Sequence, residues 1–256
     1  MIFRAKPEDG IVWITGASRG IGRETAIKLA NLGYKVAVTA RSFDALYELD
    51  RDYENITAYP GDITDREDMK LLVEQIEEIG PISLAILNAG GNIKNGGATF
   101  GNSFRDTIDL NFTGTINCLE YIVPLMVKRR KGQIAVMSSI SAYGGLPMFG
   151  EAYITSKAAL ISLCECIQPQ LERKNVNVQI ICPSFVDTGL ISRKIFNTPL
   201  MITADKAADK IIKGLQKGGF EISFPKFVVF GFKMAQLLPY KLYFMAAKLF
   251  MSCIRK

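Results

Sequence analysis

Along most of the chain, short β-branched and aliphatic runs alternate with stretches whose apolar side chains recur every three or four positions. The runs predict strands near Ile11 to Thr15, Lys35 to Thr39, Ile56 to Tyr59, Leu84 to Leu87, Gln133 to Met137, Asn177 to Ile181 and Glu221 to Phe224. The intervening periodicity predicts helices over Ile21 to Leu32, Arg66 to Ile79, Ser103 to Arg129, Ala152 to Arg173 and Ala204 to Gln216. In the last of these Ala207, Ile211 and Leu215 share one face. Pro169 lacks an N–H and crowds the carbonyl of Glu165, so it is expected to kink or end its helix nearby. Strand and helix in alternation predict an α/β fold, a doubly wound and mostly parallel seven-stranded sheet. No linker, repeat or low-complexity segment interrupts it, so residues 1–224 are expected to form one domain and residues 225–256 a tail.

The tail has a different pattern. From Ile222 to Lys256 there is no acid, six bases and a dense aromatic and aliphatic complement. Lys226 and Lys233 are seven apart, as are Lys241, Lys248 and Arg255, and Pro239 separates the two sets at a position suited to a helix start. Two short amphipathic helices with thin basic stripes and broad apolar faces are expected. They would lie on an anionic membrane surface, or else cover the substrate pocket or bury in a homo-oligomer, a dimer or tetramer.

Charge and composition sharpen this picture. The net charge is +6, yet residues 200–256 hold ten basic and three acidic side chains, so the preceding residues sum to −1. Basicity confined to the tail argues against a nucleic-acid groove across the domain. There is no histidine, which excludes Ser-His-Asp and Cys-His nucleophiles, histidine metal sites and imidazole proton shuttles. Five cysteines, Cys118, Cys164, Cys166, Cys182 and Cys253, are odd in number and show no CxxC spacing, so neither a disulfide framework nor a metal site is expected and a reducing, cytoplasmic compartment is the default. The opening residues do not read as a signal peptide, and no uncharged run reaches the roughly 18 residues that would span a bilayer.

Candidate chemistry begins directly after the first strand. Gly16, Ser18, Arg19, Gly20, Ile21 and Gly22 form a glycine-rich turn running into a helix, where glycines allow close backbone approach and the helix start offers free N–H groups to a pyrophosphate. About twenty residues on, an acid facing the ribose would favour NAD; here Thr39 and Ala40 stand there and Arg41 follows. Arg41 and Arg19 therefore point to NADP(H), because guanidinium pairs with a 2′-phosphate. The alternative is two solvated arginines, one of them close enough to pair with Asp44. Tyr153 and Lys157 stand at i and i+4 on one helical face, and a strand ends upstream in Ser138 and Ser139, at the edge where open α/β sheets bind ligands.

With these motifs in order, the chain resembles a short-chain dehydrogenase/reductase of the single-domain Rossmann type over roughly residues 8 to 224. Thr15 to Gly22 is similar to the family's TGxxxGxG, Asp62 with Ile63 to its adenine contact, and Asn88, Ala89 and Gly90 to its NAG. Asn111, Ser139, Tyr153 and Lys157 match its catalytic tetrad. Pro183 to Thr188 stands in place of its PGxVxT, which implies that Val186 and Thr188 meet the nicotinamide amide. The resemblance implies that Tyr153 protonates a carbonyl oxygen as hydride arrives, that Ser139 polarises it, that Lys157 holds the ribose and lowers the phenol pKa, and that Asn111 feeds protons toward Lys157 through water. Leu190, Ile191, Ile195 and Phe196 are similar to the family's substrate lid.

Three departures stand out. Ser139 and Tyr153 are one position further apart than usual, which leaves Ser138 and Ser141 as alternative carbonyl donors; Ser184 replaces a glycine; and Pro169 lies in the Tyr153 helix. The expected function is NADPH-dependent carbonyl reduction, or the reverse alcohol oxidation, on a hydrophobic small molecule. A 3-oxoacyl thioester reductase docking an acidic carrier protein is one alternative, and a non-catalytic NADP-binding sensor or scaffold is another.

Overall fold

The computed structural model describes residues 2–93, 101–144, 150–188 and 201–254. Among these, seven parallel strands form one sheet: β1 (Ile11–Thr15), β2 (Lys35–Thr39), β3 (Ile56–Ala58), β4 (Ile82–Leu87), β5 (Gly132–Met137), β6 (Val176–Pro183) and β9 (Glu221–Phe224), in the spatial order β3-β2-β1-β4-β5-β6-β9. A two-residue pair, β7 (Val186–Asp187) and β8 (Ile202–Thr203), sits apart from it. The strands β1, β4, β5 and β6 are buried along their whole length. That is why they read as continuous apolar runs, since both faces of the sheet are covered.

Alternate residues of β1 divide the core. Trp13 joins the layer containing Met69, Ile76, Ile122, Met126 and Leu160, from helices α3 (Arg66–Ile79), α5 (Gly114–Arg129) and α6 (Glu151–Glu172). Val12 and Ile14 face the other layer, with Leu29, Leu46, Leu49, Ile211 and Leu215 from α1 (Gly20–Asn31), α2 (Phe43–Asp52) and α7 (Ala204–Lys217). Capping sets the helix starts: Asp65 accepts from the N–H groups of Glu67 and Asp68 to begin α3, and Thr203 from Lys206 to begin α7.

The helix carrying Pro169 ends shortly beyond it, at Glu172, close to the expected end at Arg173. Glu165, whose carbonyl loses its partner, is on the exposed side, and buried Leu171 anchors the last turn to the core, so packing outweighs the missing bond. The stretch expected as one helix from Ser103 to Arg129 is instead α4 (Asn102–Ile108), a π-turn over Asp109–Thr113, and α5. The wider turn carries Asn111, which is fully buried.

Beyond β9 the chain forms α8 (Lys226–Gln236) and α9 (Tyr240–Ile254). Buried Val229 ties α8 to the core beside Val228 and Phe232. Lys233, expected on an outward basic stripe, is exposed and also pairs with Glu221, lying 4.9 Å over the Tyr143 ring.

Candidate active site

The strand order reverses between β1 and β4, and there a cleft of about 1200 Å³ opens at the carboxyl ends of the strands. One end is the glycine turn. Gly16 has φ +68°, and a Cβ there would lie 2.6 Å from Ala89 Cα. A Cβ on Gly22 would overlap the Gly16 carbonyl and lie 2.5 Å from Asn88 Nδ2. The turn is held from β4, where Asn88 Nδ2 donates to the carbonyls of Thr15 and Gly16 at 3.0 Å each, and the backbone N–H groups of Asn88 and Ala89 donate to Thr15 Oγ1. Asn88 thus supports the loop as well as lining the cleft. The N-terminus of α1 has no acid in its first turn, so its free N–H groups present an uncompensated positive end.

Arg19, Arg41, Asp62 and Ile63 line the same end, together with Thr39 and Ser42. Arg41 does not pair with Asp44; its guanidinium stands 3.9 Å from Asp62, whose other carboxylate oxygen accepts from the Thr64 N–H and hydroxyl. Both arginines are exposed. Pro183, Ser184, Val186 and Thr188 form the facing wall, where Thr188 covers Gly20.

At the other end Ser139, Tyr153 and Lys157 line the cleft together, and Gly90 lies between Lys157 and Asn111. The three serines are told apart by their partners. Ser138 spends its hydroxyl on the Lys157 carbonyl, at 2.8 Å. Ser141 is buried and donates to Ser139 twice, from its hydroxyl at 3.0 Å and its N–H at 3.2 Å. Ser139, with its oxygen accepting both, keeps its own proton for the cleft, and its bond to Tyr153 favours the phenolate.

Lys157 is buried and donates to the Met137 carbonyl at 2.7 Å, with Nζ 5.9 Å from the Tyr153 ring centre. Burial pushes its pKa down to about 8. Tyr153 is half-buried, and burial raises its phenol above the ordinary value, outweighing the opposing bond from Ser139. The desolvation that weakens Lys157 as a cation also disfavours the phenolate, so a lowering of the phenol pKa would rest on the positive charge of an oxidised nicotinamide beside it.

Asn111 does not line the cleft. Its Oδ1 accepts from the Gly91 N–H at 2.8 Å, and its Nδ2 donates to the Gly91 carbonyl at 3.0 Å and to Ser156 Oγ at 2.9 Å. Ser156 Oγ in turn donates to the Tyr153 carbonyl. Asn111 thus ties the chain after β4 to the helix that carries Tyr153. Leu190, Ile191, Ile195 and Phe196 lie outside the described residues. Ile93, Phe104, Leu110 and Phe185 complete the lining. Residue type does not distinguish them in the sequence, because Phe104 and Leu110 have the spacing of ordinary core positions.

Among the described residues no cluster could hold a metal ion. The donors fit a dinucleotide instead: a glycine cradle closed to any Cβ, a helix start and two guanidinium groups at one end, and hydroxyl, phenol and ammonium at the other.

Comparison with known proteins follows the same lines. The short chain dehydrogenase family model matches residues 10–197. An uncharacterized oxidoreductase of Myxococcus xanthus is 31% identical over 241 residues, covering 92% of this chain and 95% of its own length. A fatty acyl-CoA reductase of Acinetobacter baylyi is 30% identical, covering 84% and 76% respectively. The crystal structure of a short chain dehydrogenase from Burkholderia cenocepacia in complex with NADP superposes with a TM-score of 0.74 at 26% identity, covering 85% of this chain and 89% of that one.

Proposed function

We propose, from the premise that this chain belongs to the short chain dehydrogenase family of oxidoreductases, that it uses NADPH to reduce the carbonyl of a hydrophobic substrate, or oxidises the corresponding alcohol. The observation that carries this reading is the convergence of Ser139, Tyr153 and Lys157 at one end of a cleft whose other end is the glycine turn with Arg19 and Arg41. The chemistry a dinucleotide supplies when bound is hydride transfer at its nicotinamide ring. Gly16, Ser18, Gly20 and Ile21 would hold its pyrophosphate, Asp62 and Ile63 its adenine, and Val186 and Thr188 its carboxamide.

The chain's own residues handle the proton. Ser139, polarised by two bonds from Ser141, donates to the carbonyl oxygen. Tyr153, a phenol whose burial disfavours its ionised form, gives its proton to that oxygen as the alcohol forms. Lys157, an ammonium titrating near 8, returns a proton toward the phenol and would hold the ribose hydroxyls. Asn111 acts as a positioning residue through Ser156 and Gly91, and would order a water toward Lys157. Ile93, Phe104, Leu110 and Phe185 give the carbonyl end apolar walls, which suits an aliphatic or acyl substrate, as does the likeness to a fatty acyl-CoA reductase.

The direct test is cofactor oxidation across a panel of aliphatic, acyl and polycyclic ketones and aldehydes. Turnover should be fastest with the apolar members; tight NADPH binding with no turnover of any carbonyl would instead make the protein a sensor. Arg41→Ala should weaken NADPH about tenfold or more and leave NADH almost unchanged, since a guanidinium bond to a 2′-phosphate is absent with NADH. Equal losses for both, by titration of cofactor fluorescence, would remove Arg41 from that role.

A pH profile follows from Lys157. Its pKa is depressed, so the charged form is full below about 8 and lost above it. For the reductive reaction, kcat/KM for NADPH, set by groups of the free protein, should be level near neutrality and fall above that point by roughly tenfold per pH unit. A profile flat to the range of an unperturbed lysine would contradict the ammonium's role.

A further inference from the structure

We infer that the outward faces of α8 and α9 form a docking surface for an anionic phospholipid bilayer. Ten of the fifteen large apolar side chains exposed among the described residues lie between Phe227 and Leu249, so they form a patch rather than the scatter normal on a protein surface. On α8 and the Leu237 that caps it, Phe227, Phe230, Met234 and Leu237 follow one another at helical spacing and are 66, 66, 47 and 74% exposed. Val229, on the opposite side of the helix, is buried in the core. On α9, Tyr243 and Ala247 turn inward, with the Tyr243 hydroxyl against Gly144, while Leu242 and Met245 face out, 48 and 54% exposed.

The charge carried by α8 and α9 themselves has one sign. Lys226, Lys241 and Lys248 are exposed beside the apolar stripes, and no acid follows Glu221, which is already paired with Lys233. A second copy of the chain fits poorly, because a two-fold contact centred on α9 would bring Lys241 and Lys248 of both copies together, and lysine is depleted in buried interfaces; Glu165 of α6 lies in the groove beside Phe230, Met234 and Leu237, on the α8 side. A bilayer surface accommodates both features, with aromatic and aliphatic side chains at the acyl boundary and ammonium groups among anionic headgroups. The fifteen residues of α9 extend about 22 Å, short of a hydrocarbon core of about 30 Å, and no described helix is long and apolar enough to cross it. The helices therefore lie along the surface.

The placement bears on the cleft. Helix α8 packs on the turn Ile140–Tyr143 that follows Ser139, and Tyr243 packs on Gly144 in the same connection. The lipid surface would thus adjoin the segment between Ser139 and Tyr153. The inference stands apart from the catalytic reading, because binding is measured without turnover.

The test is co-sedimentation of the full chain with vesicles of phosphatidylcholine alone or mixed with phosphatidylserine, alongside sedimentation velocity without lipid. Binding should require phosphatidylserine and weaken as salt is raised. The double variant Lys241→Gln/Lys248→Gln should bind roughly thirtyfold more weakly with an unchanged unfolding temperature, and Leu242→Ser/Met245→Ser should lose binding at any salt concentration. Absence of binding, or equal binding to both vesicle types, would overturn the proposal. So would a dimer in solution that Leu242→Ser/Met245→Ser dissociates, which would assign the face to a second copy.

Discussion

Tyr153→Phe should lower turnover about a thousandfold or more while NADPH binds almost as before. The substitution removes one oxygen and leaves the ring, which lines the cleft beside Ser139 and Lys157. A phenol is uncharged at neutral pH and burial further disfavours its ionised form, so the lost group is the acid itself and not a charge that holds the cofactor. Of the other titratable groups near it in the cleft, Lys157 has its Nζ bound to the Met137 carbonyl on the strand behind, and Glu151 is exposed at the start of α6. Steady-state rates with the best substrate of the panel, paired with a cofactor titration, separate the two effects. Activity within tenfold of the parent would sink the proton-transfer assignment, whereas loss of both turnover and binding would point to damage to the cleft.

Gly22→Ala should cost dinucleotide affinity about a hundredfold and lower the unfolding temperature by several degrees. The residue lies beneath the turn, where its Cα hydrogen faces the Gly16 carbonyl and Asn88 Nδ2. A methyl group there meets backbone on one side and, on the other, the amide that ties the turn to β4 through Thr15 and Gly16. Relief requires the turn to move away from Asn88, which carries the free N–H groups of α1 away from a bound pyrophosphate. Isothermal titration and thermal unfolding read the two consequences. Unchanged NADPH affinity would show that the cradle has slack that the packing does not suggest.

The fold was legible because each buried strand is a short apolar run with a glycine or polar boundary, and burial on both faces leaves no alternation to confuse with a helix. Helix α2 fills the interval between β2 and β3 as expected but is not among the clear periodic stretches, because only Leu46 and Leu49 of Phe43–Asp52 are buried, too few to establish a period. The resemblance brought the tetrad into view as types at a spacing, but spacing could not choose among Ser138, Ser139 and Ser141. Tertiary partners separate them: the Lys157 carbonyl occupies Ser138, and Ser141 turns its donors onto Ser139. Asn111 was legible as a residue but not in its bonding, since the π-turn that carries it inward is a one-residue register change with no composition of its own. Likewise a heptad spacing places Lys233 on an exposed stripe, where it lies, but could not show that Glu221 of β9 approaches and pairs with it.

By itself, then, the sequence determined the order of strands and helices, the glycine turn, the absence of imidazole chemistry and the basic, apolar character of the tail. These are local properties, set by side-chain type and by periods of two and 3.6 residues. Only the tertiary structure decided which hydroxyl faces the cleft, that burial raises Tyr153 and depresses Lys157, and that Lys233 pairs with Glu221. Those outcomes depend on groups brought together from distant parts of the chain, and on how much water the packing leaves around each charge.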